Sequence, residues 1–218
     1  LLRFESTFTE AGKLTSFADY ISRMKENQKD IYVLYGASRA QLEHSPYLDA
    51  LKARGFEVAF FTDGGDQFVI DTLMKVEDKE IKSIARSNLD LPPLKAQPDT
   101  PGLDAEEATG LTSWLSSTFS EAFSKVTTSD RVTSAPAIAL QGENDISPEI
   151  KAYMKAMGQP VPESHPEIAL NPHSPIVQKL AELRTKDEAL ATLLAEQIMN
   201  TALLAKIVAR IIAINTAP

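Results

Sequence analysis

Residues 14–36, LTSFADYISRMKENQKDIYVLYG, set a helix signal directly before a strand signal, and this pairing decides the fold class. Ser16 can cap a helix, with Asp19 three residues on in a capping-box spacing. Phe17, Tyr20, Ile21 and Met24 recur at helical intervals. A polar turn over 26–30 leads into Ile31–Tyr35, which is β-branched and aromatic and ends at Gly36. The expectation is a helix followed by a buried strand.

Downstream the alternation continues. Ser38 caps a short helix, and Ser45-Pro46 restarts it, because proline suits the first helical position. Gly55 is placed as its C-terminal cap. Residues 56–61 read as a second buried strand, 66–75 as a helix and 81–85 as a third strand. Strand, helix and strand at this spacing imply right-handed crossovers and a small parallel sheet covered by helices, an α/β unit.

The composition then changes. Pro92, Pro93, Pro98 and Pro101 mark residues 92–102 as an extended linker between a unit at 1–91 and a second at 103–218. Asp104 with Glu107 forms a capping box, and Leu111, Leu115, Phe119 and Phe123 share one helix face. Residues 126–132 and 137–140 read as paired strands, with 167–170 as a third. The second unit is therefore expected to be α+β, with a small antiparallel sheet and a helical dimerisation bundle. Helices are expected over 176–183, 187–205 and 207–215. No turn residue separates Ala205 from Ile207, so loop residues are expected to be absent from the sequence there and near Lys125-Val126.

The chain has 218 residues with a net charge of −8, and it lacks the clustered Lys and Arg that would neutralise phosphates, so nucleic acid is not an expected partner. The absence of cysteine excludes disulfides, thiolate chemistry and cysteine-based zinc sites. No apolar run approaches the roughly 20 residues that span a bilayer, and the expected location is cytoplasmic. Leu1-Leu2-Arg3-Phe4 reads as the middle of a longer sequence.

Motifs for catalysis are missing. No GxxxxGK, GxGxxG, HExxH or GxSxG occurs, so no catalytic or cofactor-binding residue is assigned. The loop at Gly36-Ala37-Ser38 and the loop Asp63-Gly64-Gly65-Asp66 follow strands, where an α/β enzyme holds its ligand. They define an alternative, a small α/β enzyme with an appended helical oligomerisation domain, which needs a deep pocket with converging polar groups where the loops meet. The plainer reading is a tight turn and a helix cap. His165 and His173 lie in proline-rich loops without further ligands at metal spacing, so no metal is expected.

Two apolar features carry more. Ser147-Pro148 starts a helix that Gly158 stops, and Ile146, Ile150, Tyr153, Met154 and Met157 line one side of it. Such a stripe either packs on its own domain or serves as an adaptable binding surface, for which methionine is suited. In the terminal helices Leu190, Leu193, Leu194, Ile198, Ala202 and Leu203 cover a wide arc, and Val208, Ile211 and Ile212 follow. So broad an apolar face calls for a second copy of the chain, in an isologous arrangement with two helices from each subunit.

The wording of the opening stretch resembles the heat-shock protein 90 chaperone family. The resemblance rests on Leu1-Leu2-Arg3-Phe4, on Leu14-Thr15-Ser16-Phe17 through Ile31-Tyr32, on Ser45-Pro46 and on Gly55-Phe56-Glu57-Val58. It continues at Asp66 and resumes at Ser129-Asp130-Arg131-Val132-Thr133-Ser134-Ala135-Pro136-Ala137 and at Leu170-Asn171-Pro172-His173-Ser174-Pro175. It implies that residues 1–91 end a middle domain and that 103–218 form a C-terminal dimerisation domain. The family's ATP and Mg site would lie in an N-terminal domain outside this sequence, so the chain itself is expected to be no enzyme and to hold no cofactor. Family client contacts fall on Gln67, Phe68 and Asp71 and on Ile146, Ile150, Tyr153 and Met154, and Met157 joins the expected client-binding set from the same apolar stripe. Phe68 stands where bacterial members commonly have Trp, and Asp71 where one has Asn. The sequence ends without the acidic Met-Glu-Glu-Val-Asp tail of cytosolic eukaryotic members, which favours the bacterial HtpG type over that branch and leaves an organellar member as the alternative. The implied partners are a second copy and partly folded client proteins.

Overall fold

The structure is a computed structural model that describes residues 2–63, 65–92, 101–143, 145–146 and 148–215, with 148, 149, 152 and 206–215 described by backbone alone. Residues 93–100, most of the expected linker, lie outside the described residues. The fold is mixed α/β with two small sheets.

Strands β1 (Glu5–Ser6), β2 (Ile31–Tyr35), β3 (Val58–Phe61), β4 (Lys75–Val76) and β5 (Lys79–Ser83) form the first sheet, in the order β1-β3-β2-β5-β4. β2 pairs in parallel with β3, Tyr32 opposite Val58, and with β5, Ile31 opposite Ile81. The expected parallel core is present, but both edges are antiparallel. At the β4 edge, Met74 and Glu77 both take positive φ, which turns the chain back after the helix and converts its expected last residues into a hairpin strand. β2 is buried on both faces: Tyr32 and Leu34 pack with Leu48, Leu51 and Phe56, while Ile31 and Val33 pack with Phe4, Phe17 and Phe61. Each such side chain contributes about 1.5–3 kcal/mol of hydrophobic stabilisation.

Helix α1 (Phe17–Arg23) is capped by Ser16, whose hydroxyl accepts from the Asp19 amide at 3.2 Å. Its polar side chains tie it to β3. The Tyr20 hydroxyl donates to the Glu57 carbonyl at 2.6 Å and accepts from the Tyr32 amide and from Gln28, each at 3.0 Å. The wording of residues 14–36 is therefore one buried hydrogen-bond network as well as an apolar pattern. Helix α2 (Arg39–Glu43) is capped by Ser38; the 3₁₀ turn Pro46–Leu48 leads into α3 (Asp49–Arg54), which ends at Gly55 with φ +64°. That left-handed backbone is a position for glycine. Helix α4 (Asp66–Leu73) precedes β4.

Helix α5 (Ala105–Thr118) carries the expected capping box: Asp104 accepts from the Glu107 amide and Glu107 from the Asp104 amide. Strands β6 (Lys125–Thr128), β7 (Ala137–Leu140) and β8 (Glu167–Leu170) form the second sheet, ordered β6-β8-β7. Here the expectation is corrected. β6 and β7 do not pair with each other; β8 inserts between them, parallel to β6 and antiparallel to β7, so the sheet is mixed. Segment 129–136 carries Arg131 and turns that the Asn171 side chain holds through the Thr133 and Ala135 carbonyls, in place of a hairpin.

Helix α6 (Pro148–Ala156) precedes β8, and α7 (Pro175–Lys186) leads into α8 (Glu188–Asn215). The last element is one 28-residue helix, about 42 Å long at 1.5 Å per residue, and not two. The backbone passes helically through Lys206 and Ile207, and β6 runs through Lys125 and Val126, so neither position carries the expected break. Leu111, Leu115, Ile168, Leu170, Val177 and Leu180 form the core beneath α8.

Candidate functional site

Exposed large apolar side chains gather on α4, α6 and α8, and Phe8, Leu14, Val161 and Ile176 are exposed elsewhere. Helix α4 is anchored by Ile70 alone, which packs into the cluster of Phe17, Val33 and Phe61. Asp63 accepts from the Gly65 amide at 2.8 Å and Asp66 from the Asp63 amide at 3.4 Å, so the loop that begins the helix is closed on itself. Burial pushes the Asp66 carboxyl up, opposed by the hydrogen bond from the Asp63 amide and aided by the Asp63 charge. Phe68 is 48% exposed, Asp71 is exposed and Gln67 is half-buried. Val69, Leu73 and Met74, which sequence reasoning passed over, are also exposed. Their signal was the density of apolar residues in a helix too short to bury more than one of them.

On α6, Tyr153 and Met157 are exposed while Ile146, Ile150 and Met154 are half-buried, so the stripe divides between contact with the domain and solvent. Lys151 donates to Asp145 at 2.7 Å and also to the Ser164 hydroxyl, which holds the helix against its flanking loops. Gly158, at φ +69°, ends it: the Gln159 amide reaches the Met154 carbonyl and the Gly158 amide that of Lys155. Ser147 lies outside the described residues.

Helix α8 separates what the sequence merged into one arc. Ala191, Ala195, Ile198, Met199 and Ala202 form the buried stripe, with Ile198 only 4% exposed. Leu190, Leu193 and Leu204 are exposed, Leu193 by 60%. Leu194 and Leu203 sit between, partly buried against the core. The expected interface residues with described side chains thus fall into three groups: Ile198 and Ala202 buried, Leu194 and Leu203 partly buried, and Leu190 and Leu193 exposed. The side chains of Val208, Ile211 and Ile212 lie outside the described residues.

The loops of the enzymatic alternative do not converge on a pocket. Ser38 is used as a helix cap, the Ala37 amide donates to Gln41 at 3.0 Å, and Gly64 lies outside the described residues. A cleft of about 530 Å³ does border Ser38, but its far wall is Ile138, Ala139, Ala202 and Ala205 of the second unit, and neither Asp63 nor Asp66 lines it. Among the described residues no group of three or more His, Asp or Glu side chains could hold a metal ion, and no helix is long and apolar enough to cross a membrane.

The two units meet through named contacts that sequence reasoning did not identify. Arg131, buried, donates to the carbonyls of Ile84 at 2.7 Å, Arg86 at 2.8 Å and Ser87 at 3.2 Å. The Tyr47 hydroxyl donates to the Ala139 carbonyl at 2.5 Å. The Gln141 amide donates to the Ala85 carbonyl and the Ser87 amide to that of Gln141, which adds a short parallel bridge. Asn171 holds the turns beside Arg131, so the stretches 129–137 and 170–175 are one structural assembly.

Comparison with known proteins places this arrangement. The family model described as Hsp90 protein matches residues 1–207. The chaperone protein HtpG of Geobacter sulfurreducens is 35% identical over 192 residues, which are 86% of this chain and 29% of that relative. The chain thus spans less than a third of the length of the curated relative it matches. The matched range includes both sheets, the junction built on Arg131 and most of α8, and on that ground the chain belongs to the Hsp90 family.

Proposed function

We propose that this chain is the dimerisation and client-contact portion of an ATP-dependent molecular chaperone of the HtpG type, acting in the cytoplasm. Residues 1–91 are the end of a middle domain and 103–218 a C-terminal dimerisation domain. The role is mechanical. Two copies held together through their terminal helices raise the effective concentration of whatever each carries upstream, so that nucleotide bound there can open and close a clamp. Exposed apolar side chains on α4 and α6 offer shallow contact to partly folded proteins, in keeping with the adaptability of methionine.

The observation that supports this most is the exposed stripe of Leu190, Leu193 and Leu204 on a helix whose opposite stripe is already buried. Exposed leucines on a helix whose other side is already buried suit an association surface. Sedimentation velocity over a range of concentrations tests it. The chain is expected to sediment as a dimer, and Leu190→Asp with Leu193→Asp as a monomer; a chain that stays monomeric at every concentration overturns the reading. For client contact, Ile150→Asp with Met154→Asp is expected to weaken suppression of aggregation of a heat-unfolded reporter enzyme. A collapse of thermal stability instead identifies that face as core.

A further inference from the structure

The surface around α4 is selective in charge as well as apolar. Phe68, Val69, Leu73 and Met74 are exposed in a short reach of chain. Carboxylates surround them: Asp63 and Asp66 at the start of the helix, Asp71 on its exposed surface, and Glu77 and Asp78 in the hairpin turn after it. Only Lys75 and Lys79 offset these five between residues 63 and 79. Among the described residues none of the five carboxylates forms a salt bridge, whereas Glu80, next in sequence, is paired with Lys82 at 3.2 Å. The hairpin is held close to the helix, since the Met74 amide bonds the Ile70 carbonyl and the Ile81 amide bonds the Met74 carbonyl. An apolar patch whose carboxylates outnumber its lysines five to two keeps a net negative charge. It repels acidic segments and attracts apolar segments that carry lysine or arginine.

We infer that α4 and the β4–β5 turn form a docking surface for amphipathic segments that are apolar on one side and basic on the other, such as a basic helix of an unfolded protein. This rests on the reading of α4 as a client-contact surface and names the class of segment it takes. Apolar contact with Phe68 and its neighbours supplies affinity, and the carboxylate rim supplies discrimination.

The test uses the 218-residue chain and two fluorescent peptides of identical leucine pattern, one with lysine and one with glutamate at every polar position, read by anisotropy. The lysine peptide is expected to bind about fivefold more tightly at low salt, a margin that shrinks as salt screens the rim. Asp71→Asn with Glu77→Gln and Asp78→Asn is expected to erase most of that margin while leaving residual binding of both peptides. Phe68→Ser with Val69→Ser is expected to abolish both. If both peptides bind equally and both are lost in the Phe68→Ser variant, the selectivity is overturned while client contact at α4 stands. If neither variant alters binding of either peptide, both readings of α4 fall. A lysine preference that survives neutralisation of the three carboxylates belongs to the overall charge of the chain, and it overturns the inference as well.

Discussion

Glu57 and Arg23 are joined by two hydrogen bonds, Arg23 Nε to Oε2 at 3.0 Å and Nη2 to Oε1 at 2.8 Å, across the junction of α1 and β3. Glu57 is 1% exposed and also accepts from the Ser6 hydroxyl at 2.5 Å. The pair fixes the helix of the opening stretch to the strand behind it, and the bond to Glu57 pushes the Arg23 guanidinium up from its ordinary value.

Glu57→Gln removes the charge but keeps the shape. It leaves Arg23 facing a neutral amide, and one guanidinium nitrogen loses its acceptor. Breaking a buried ion pair costs several kcal/mol, but Arg23 is partly solvated, so the expected loss is about 2 kcal/mol. Urea unfolding followed by circular dichroism measures it. A variant as stable as the parent would mean that the pair adds nothing beyond the apolar packing of Phe17 and Tyr20.

Tyrosine burial predicts the alkaline limit of the fold. Burial pushes the phenols of Tyr32 and Tyr47 each up to about 12, and that of Tyr20 higher still. A phenol that keeps its proton longer in the folded chain than in the unfolded one stabilises fully below the unfolded value near 10. That contribution is lost as pH rises from about 10 toward 12. Stability is therefore expected to fall with pH in that window, by at most about 1.4 kcal/mol per unit for each tyrosine. Tyr32→Phe isolates one of them. Its hydroxyl is buried without a hydrogen-bond partner among the described residues, so the variant is expected to match or exceed parental stability at neutral pH and to flatten the alkaline slope. Urea midpoints at about pH 8 and about pH 11 check both halves of this.

The two stripes of α8 call for opposite outcomes. Ile198 is buried among Ala195, Met199 and Ala202, so Ile198→Ala opens a cavity and is expected to cost about 2–4 kcal/mol. Leu193→Asp sits on the exposed stripe and is expected to change stability by less than about 0.5 kcal/mol in a monomer while weakening association. Thermal melts at concentrations below and above the association range separate the two effects. Equal destabilisation by both variants would place Leu193 in the chain's own core.

Local elements were legible because their signals are short-range. Ser16, Ser38, Asp104 and Gly55 act as caps where their spacing put them, and β2, β7 and β8 fall on their apolar runs. Pairing was not legible. Nothing in residues 126–140 says that β8, some 30 residues later, will enter between two strands that look like a hairpin; the segment between them is tied instead through Arg131 and the Asn171 amide, polar contacts that no apolar period registers. The same limit applies to the surfaces. Periodicity finds the apolar residues of α8, but which of them face inward depends on α5, α7 and β7, so Ile198 and Leu193 read alike until packing divides them. On α4 the periodicity registers neither Val69 nor Leu73, which a helix that buries only Ile70 leaves exposed.

Arg131 is the group on which the seam between the two units most depends. Its guanidinium carries three bonds to backbone carbonyls of residues 84–87 and lies beside the paired amides of Ser87 and Gln141. Arg131→Met keeps the apolar stem but leaves three carbonyls without that donor in a region with little access to water. Lysine offers one nitrogen where the planar fork offers two that diverge, so Arg131→Lys is expected to restore only part of the loss. The readout is local. Hydrogen exchange at the Ser87 and Gln141 amides is expected to accelerate at least tenfold in Arg131→Met, as opening of the seam becomes easier by about 1.4 kcal/mol or more. The amides of β2 and β8, deep in each sheet, are expected to keep their protection. Uniform loss of protection through both sheets would instead make Arg131 a determinant of global stability, and unchanged exchange at Ser87 and Gln141 would show that the backbone bridge and the Tyr47 hydroxyl hold the seam without it.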